Sequence, residues 1–255
     1  MSTKPRRRVA LFVTCIVDQI YPNIGLAAAT LLEAHGCEVH VPRGLTCCGQ
    51  MGFNAGFRDE ARAVAGRTLE LLRNPDVWKG GQGDVVLPSG SCAAMIKHLY
   101  HELFHGTPHQ AAAEELIGRT YELTEYLVDV LGVSDLGAHY DGRLAYHDAC
   151  HGLRFLGLHS QARILLAHVA GAEITPLPNA DECCGFGGLF AIKQHAISEA
   201  MLDRKLAGIQ ATEADLLVTG DASCMTQIAG GLSRAGSRTR ARHIAEVLAN
   251  MVDRD

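Results

Sequence analysis

The sequence predicts an α/β protein of two pseudo-symmetric lobes, each a small, mostly parallel sheet flanked by helices. Short apolar runs alternate with longer stretches of helical composition, as expected for parallel strands joined by helical crossovers. The order of these runs restarts near the middle of the 255-residue chain, together with a repeated cysteine pattern. We therefore predict a first lobe at residues 1–104, a helical connection at 105–141 and a second lobe at 142–255.

The first lobe begins with an apolar, β-prone run at residues 9–14, which has the composition of a buried parallel strand. Residues 24–35 are rich in alanine and leucine, which predicts a helix, and Gly36 marks its end. The remaining predicted elements of this lobe are a strand at 37–42, a helix at 55–73, a strand at 84–87 and a helix at 93–104.

The connection has two helical patterns, at residues 110–119 and 123–130, and no cysteine. The second lobe then repeats the first, with strands predicted at 144–150, 173–178 and 215–219 and helices at 161–169, 189–209, 225–232 and 243–251. Functional groups of parallel sheets gather at the carboxyl ends of strands. Cys15, Cys92, Cys150 and Cys224 each follow a predicted strand, so we expect the cysteines of each lobe to converge at one sheet edge.

The composition is that of an ordinary globular protein, with 47% hydrophobic and 20% charged residues. The formal net charge of −5 predicts no general attraction to nucleic acid. The sequence has neither the roughly 18 to 20 apolar residues of a membrane span nor the pattern of a secretory signal. We therefore expect a cytoplasmic protein, in which thiols stay reduced and clustered cysteines indicate metal binding or catalysis.

Eight of the nine cysteines form two matching sets. Cys-Cys-Gly occurs twice, and a lone cysteine precedes each pair by 32 or 33 residues while another follows by 44 or 40. The first set is Cys15, Cys47, Cys48 and Cys92, and the second is Cys150, Cys183, Cys184 and Cys224. Adjacent Cα atoms lie about 3.8 Å apart, below the usual disulfide span of about 4.4 Å, so disulfides explain the pairs poorly.

Four thiolates suit either an iron–sulfur cluster or tetrahedral zinc. Structural zinc ligands usually come as Cys-x(2–4)-Cys pairs, so adjacent cysteines fit separate irons of a cluster more naturally than one ion. The glycine after each pair allows close approach of the backbone, and the run Gly-Phe-Gly-Gly at 185–188 strengthens this in the second lobe. Zinc in one lobe stays an alternative.

Longer motifs surround the cysteines at residues 11–15, 46–56, 87–95, 146–154 and 183–188. Together they resemble the cysteine-rich CCG-domain family, above all its lactate-utilisation group (LutA/YkgE) and more distantly the B subunit of heterodisulfide reductase. The resemblance implies an electron-transfer protein that acts with a second iron–sulfur protein and a LutC-like third protein to oxidise L-lactate to pyruvate. It also implies one iron–sulfur cluster per lobe, 4Fe–4S or noncubane, held by the eight cysteines.

The sequence departs from the family pattern at one position in each lobe. The pattern ends in Cys-x-x-Cys, but the first cysteine of that pair is replaced by Ser89 in one lobe and by Asp221 in the other. Four thiolates per lobe make an ordinary 4Fe–4S cluster at least as consistent as a noncubane one. Each replacing side chain is either an oxygen ligand or has a solvent-facing or capping role.

Two other functions stay open, a thiol–disulfide reductase subunit and a zinc-stabilised assembly module without redox activity. The missing fifth cysteines count against the reductase. His147 and His151 flank Cys150, where they are either hydrogen-bond donors to a cluster or structural histidines. Cys37 lies outside both sets, and we expect it to be a buried apolar residue.

Overall fold

The structure is a computed structural model that describes residues 6–78 and 82–252. Within these residues the chain forms two four-stranded sheets. The strands are β1 (Arg7–Leu11), β2 (Cys37–His40), β3 (Asp84–Leu87), β4 (Thr120–Glu122), β5 (His139–His147), β6 (Ala170–Ile174), β7 (Leu216–Thr219) and β8 (Arg240–His243). The first sheet has the order β2-β1-β3-β4 and the second β6-β5-β7-β8, and every pairing is parallel. The predicted fold class is therefore confirmed.

Helices connect successive strands and flank the sheets. They are α1 (Cys15–Ile20), α2 (Pro22–Ala34), α3 (Gln50–Asn54), α4 (Arg58–Arg73), α5 (Pro75–Trp78), α6 (Gly90–Ala94), α7 (Tyr100–Phe104), α8 (Gln110–Ile117), α9 (Leu123–Glu125), α10 (Cys150–Arg154), α11 (Gln161–Leu166), α12 (Phe190–Lys193), α13 (His195–Thr212), α14 (Ala222–Arg234) and α15 (Ile244–Leu248). Two single π-helical turns, Met95–Leu99 and Tyr126–Val130, continue α6 and α9. Each helix in the described ranges is too short or too polar to span a bilayer.

The two lobes share part of their hydrophobic core. One buried cluster contains Ile24 and Leu32 of α2 together with Val218 of β7 and Leu248 of α15. A second cluster, around Leu69 of α4, has all its buried residues between Ala10 and Leu116, and Leu156 packs against it. The shared cluster fixes one lobe against the other, which positions the site between them.

Several element boundaries differ from the prediction. Strands β4 and β8 were missed: β4 is only three residues long inside the predicted helical connection, and the arginines at 240 and 242 hide the alternation of β8. Strand β6 begins and ends earlier than the predicted 173–178. The predicted helix 189–209 is two helices, because the backbone at Gln194 leaves the helical region at φ −122° and ψ 48°. The proposed lobe boundaries stay a prediction.

Candidate metal centre

Each cysteine set converges at the carboxyl edge of its sheet, as predicted. Cys15 begins α1 just beyond β1, and Cys150 begins α10 just beyond β5. Cys92 and Cys224 lie in the first turns of α6 and α14, which follow β3 and β7. The Cys-Cys pairs occupy the loops that follow β2 and β6. The outlying Cys37 is buried in the apolar core on β2 and belongs to neither set, as expected.

The thiols within each set lie close together and form no disulfide. The Sγ atoms of Cys48 and Cys92 are 3.3 Å apart, and those of Cys150 and Cys183 are 3.9 Å apart. Two thiolates on one tetrahedral ion, with metal–sulfur bonds of about 2.3 Å, would be separated by about 3.8 Å. The donor sets therefore fit a metal centre.

Both sets line the same cavity, which the sequence analysis did not predict. All eight cysteines surround a space of about 100 Å³ between the lobes. Asp221, His151, Met51 and Phe186 complete much of its wall. Two metal centres bound by these cysteines would therefore face one another across a common space.

One thiol of each set is strongly acidic because its neighbours donate hydrogen bonds to it. Bonds from Cys15 and Cys48 lower the pKa of Cys47 to about 3, and bonds from Cys150 and Cys184 lower that of Cys183 to about 2. The same bonds, together with burial, raise the pKa of all four donor thiols. Each set thus holds one thiolate easily, and a bound cation would favour ionisation of the thiols that donate to it. That is the chemistry of a metal-binding site.

The glycine after each cysteine pair is required by the backbone. Gly49 and Gly185 have φ values of +87° and +88°, a region that side-chain-bearing residues avoid. A Cβ atom would lie 2.9 Å from the carbonyl oxygen of Ala61 at the first and 2.5 Å from that of Ser198 at the second. In this conformation each glycine N–H points to the preceding acidic thiol, with a nitrogen–sulfur distance of 3.4 Å in both lobes.

Ser89 and Asp221 connect the two lobes. They form an isolated antiparallel bridge, and the Ser89 hydroxyl lies 3.2 Å from Asp221 Oδ2. Asp221 also accepts from the backbone N–H groups of Ser91 and Ser223, at 2.8 and 3.0 Å. Burial alone would raise the pKa of Asp221, but these hydrogen bonds lower it below its ordinary value. Both residues therefore act as helix caps, with oxygen atoms occupied by protein donors, and we name this pair the interlobe clasp.

At two positions the second lobe has a nitrogen-bearing side chain where the first lobe has none. His147 lies three residues before Cys150, where Phe12 lies three residues before Cys15. A ring nitrogen of His147 and the Sγ atoms of Cys184 and Cys224 all lie within 4.8 Å of one another. His151 is more peripheral: its Nδ1 is 3.6 Å from Cys150 Sγ, and its ring stacks on Phe155.

The other such side chain is Lys205, which sequence reasoning missed. Lys205 is fully buried on α13 and donates to the carbonyl of Asn179. Its counterpart in the first lobe is Thr68. Lys205 follows Ser198 by seven residues and Thr68 follows Ala61 by seven, and the carbonyl groups of Ser198 and Ala61 face the equivalent glycines Gly185 and Gly49. The sequence feature that could have identified Lys205 as buried is its place on the same helix face as Leu202, Leu206 and Ile209, where a lysine is unusual.

Comparisons with known proteins identify the family of this chain. Residues 9–97 and 144–229 match the cysteine-rich domain family, CCG. The chain is 46% identical to lactate utilization protein A of Geobacillus kaustophilus over 242 residues, covering 94% of this chain and 98% of that protein. Proteins of the same name from Geobacillus thermodenitrificans and Bacillus subtilis are 45% and 41% identical over the same shares.

Solved structures match only weakly. The glutamate racemase of Francisella tularensis aligns with a TM-score of 0.37 and 11% identity, covering 98% of this chain and 80% of that chain. A score this low establishes no shared fold.

Proposed function

We propose a function for this protein from the family to which it belongs, the cysteine-rich CCG-domain proteins, and within it the group named lactate utilization protein A. The proposed function is that of an iron–sulfur protein in lactate utilisation, which carries electrons during the oxidation of L-lactate to pyruvate. The proposed ligands are the eight cysteines, one set of four for each cluster.

The observation that carries this proposal is the common cavity lined by both cysteine sets. Oxidation of lactate to pyruvate releases two electrons and two protons. An iron–sulfur cluster supplies one-electron redox chemistry, so two neighbouring centres match the electron pair. The chain's own residues hold the sulfur ligands in place, and the N–H groups of Gly49 and Gly185 stabilise negative charge on sulfur.

The proposal includes partner subunits. The sequence has no flavin or nicotinamide motif, so the group that first accepts electrons from lactate lies in another protein. We propose a complex with a second iron–sulfur protein and a LutC-like protein. The lactate would then bind to another subunit of the complex, and the cavity of this chain would hold the two metal centres.

A second candidate function is a zinc-stabilised assembly module without redox activity. The observation in its favour is the 3.9 Å spacing of the Cys150 and Cys183 sulfur atoms, which suits two ligands of a single tetrahedral ion. Zinc has no redox chemistry, so this candidate predicts an unchanged absorbance spectrum when dithionite is added.

Growth on L-lactate tests the lactate role directly. A bacterium that lacks lactate utilization protein A is complemented with this chain, or with its Cys183→Ser or Cys37→Ser variant. We expect growth on L-lactate with the wild type and the Cys37→Ser control, and loss of growth with Cys183→Ser at equal protein level. Equal growth with Cys183→Ser would contradict a role for the second cysteine set, and no growth with the wild type would contradict the lactate role.

A further inference from the structure

The imidazole of His147 has one satisfied nitrogen and one that lacks a partner. Nδ1 lies 3.1 Å from the backbone carbonyl oxygen of Ala180. Nε2 is buried and has no hydrogen-bond partner within residues 6–78 and 82–252. Thr219 pairs with His147 on the neighbouring strand β7, but its hydroxyl is also unpartnered in this part of the chain, so it does not donate to Nε2.

The hydrogen bond at Nδ1 determines which nitrogen carries the lone pair. A carbonyl oxygen only accepts, so Nδ1 must carry the proton. In the neutral ring, Nε2 then presents its lone pair. Histidines that bind metals through one nitrogen usually donate the other ring N–H to a backbone carbonyl or a carboxylate, as His147 does to Ala180.

The ring of His147 lies beside sulfur atoms. One of its nitrogens and the Sγ atoms of Cys184 and Cys224 lie within 4.8 Å of one another. Because Nδ1 is engaged by Ala180 and Nε2 is buried without a partner among the described residues, Nε2 is the nitrogen left to bind a cation there. When Cys184 and Cys224 lose their protons, the two thiolates and the lone pair would repel one another in this buried site, and a cation among them would convert this repulsion into attraction. Imidazole and thiolate are ligands of both zinc and iron.

We propose that His147 Nε2 is a direct ligand of the metal at the second-lobe centre, together with Cys184 and Cys224. This inference rests on the proposed function, because it requires that the cysteine sets bind metal. The metal is either an iron of a cluster or a single zinc ion. Phe12 occupies the corresponding position in the first lobe and offers no ligand atom, so the two centres are chemically different.

Pulsed EPR on protein labelled with ¹⁵N-histidine tests this ligand if the centre contains iron. In the full chain, loaded with iron and sulfide and then reduced, we expect a coupling from a directly bound histidine nitrogen. His147→Cys replaces the imidazole by a thiolate and should abolish the coupling while keeping the metal. His151→Phe is the matched control, because His151 also neighbours Cys150, and it should keep the coupling.

X-ray absorption tests the same ligand if the centre contains zinc. We expect a nitrogen neighbour at about 2.0–2.1 Å beside sulfur at about 2.3 Å, with the nitrogen lost in His147→Cys and kept in His151→Phe. His147→Phe copies the first lobe and should reduce the metal content of the second lobe. If that variant fails to fold, the labelled wild type still decides the question.

The results separate this inference from the proposed function. Metal in the wild type without a histidine nitrogen ligand would overturn the role of His147 and leave the metal centres standing. A nitrogen signal that persists in His147→Cys would also overturn it. A wild type that binds neither iron nor zinc would overturn both.

Discussion

Glu122 and His243 occupy corresponding positions at the ends of β4 and β8, the fourth strand of each sheet. Each is buried and begins a short helix through a reciprocal capping box, Glu122 with Glu125 and His243 with Glu246. The same structural task is therefore done by an acid in one lobe and by a base in the other. Their titrations act on stability in opposite directions.

The raised pKa of Glu122 predicts that the protein loses stability as the pH rises. Burial raises its pKa to about 7 from an ordinary value of 4.5, so the folded protein keeps a proton that the unfolded chain releases. Stability then falls between about pH 4.5 and 7, and the gap of roughly 2.5 pH units corresponds to roughly 3 kcal/mol. We expect Glu122→Gln, which keeps an amide oxygen for Thr124 and Glu125, to remove this dependence in denaturation curves at constant metal load.

His243 provides the internal control for that measurement. Burial lowers its pKa to about 4 from 6.5, so the unfolded chain binds the extra proton and stability falls as the pH drops from about 6.5 to 4. The two slopes oppose one another in the wild type between about pH 4.5 and 6.5. Glu122→Gln should therefore become more stable as the pH rises through this window, and curves parallel to the wild type would contradict the assignment.

At the scale of elements, the loops after β2 and β6 determine the site. Helix α4 holds the first loop through the Thr68 hydroxyl, which lies 3.0 Å from the Cys47 carbonyl oxygen. Helix α13 holds the second through the Ser198 hydroxyl, 2.8 Å from the Gly185 carbonyl oxygen. Each loop depends on a glycine pressed against its helix, which makes the glycine a precise place to test the geometry.

Gly185→Ala should damage the second-lobe centre. Alanine at positive φ costs about 1–2 kcal/mol, and here the new Cβ would also collide with the Ser198 carbonyl. We expect a larger loss of unfolding free energy than in Gly157→Ala, because Gly157 has φ +69° but nothing within 4 Å of the added carbon. Metal content should fall only in Gly185→Ala, and an equal effect of both substitutions would contradict the close packing.

The sequence predicted the elements whose signals are local. The buried strand run of Val9, Ala10 and Leu11 and the glycine stop at Gly36 appear where expected. Edge strands such as β8 depend on pairing with a distant partner, so their charged sequence hides them. The cysteine spacing predicted both ligand sets, but it contains no information on how the lobes face each other. The common cavity and the interlobe clasp therefore required the three-dimensional structure.

At the scale of the whole molecule, the interlobe clasp lies where the family pattern has a further cysteine in each lobe. Asp221 crosses from the second lobe to accept from Ser91 of the first, beside the cavity that both cysteine sets line. Close backbone contact supports the clasp, since a Cβ on Gly90 would lie 3.2 Å from the Cα of Gly152. The clasp thus holds the two cysteine sets in register.

Asp221→Asn should weaken this connection. Both carboxylate oxygens of Asp221 accept hydrogen bonds, Oδ2 from Ser89 and Ser91 and Oδ1 from Ser223. In asparagine an NH₂ group replaces one of these oxygens, so it would face a hydrogen-bond donor instead of accepting from it. We expect a loss of about 1–3 kcal/mol in the free energy of unfolding. Asp135→Asn is the control, because exposed Asp135 accepts one N–H, from Gly137, and its amide oxygen can still do so. Equal stability of both variants would contradict the clasp.

The two centres should also differ in electrostatics. Lys205, buried in α13, lies close enough to Cys184 and Cys224 for their charges to interact, and Thr68 stands at the corresponding place in the first lobe. A nearby positive charge stabilises the more negative, reduced state of a metal centre. For the proposed clusters, we therefore expect the one in the second lobe to be the easier to reduce.

The most direct test of the account is the content of iron, acid-labile sulfide and zinc in protein purified without oxygen, with EPR spectra recorded before and after dithionite. We expect iron and sulfide at two clusters per chain, a signal that changes on reduction, and loss of one centre in Cys48→Ser and of the other in Cys184→Ser. Zinc without sulfide, and no spectral change on reduction, would contradict the proposed electron-transfer function.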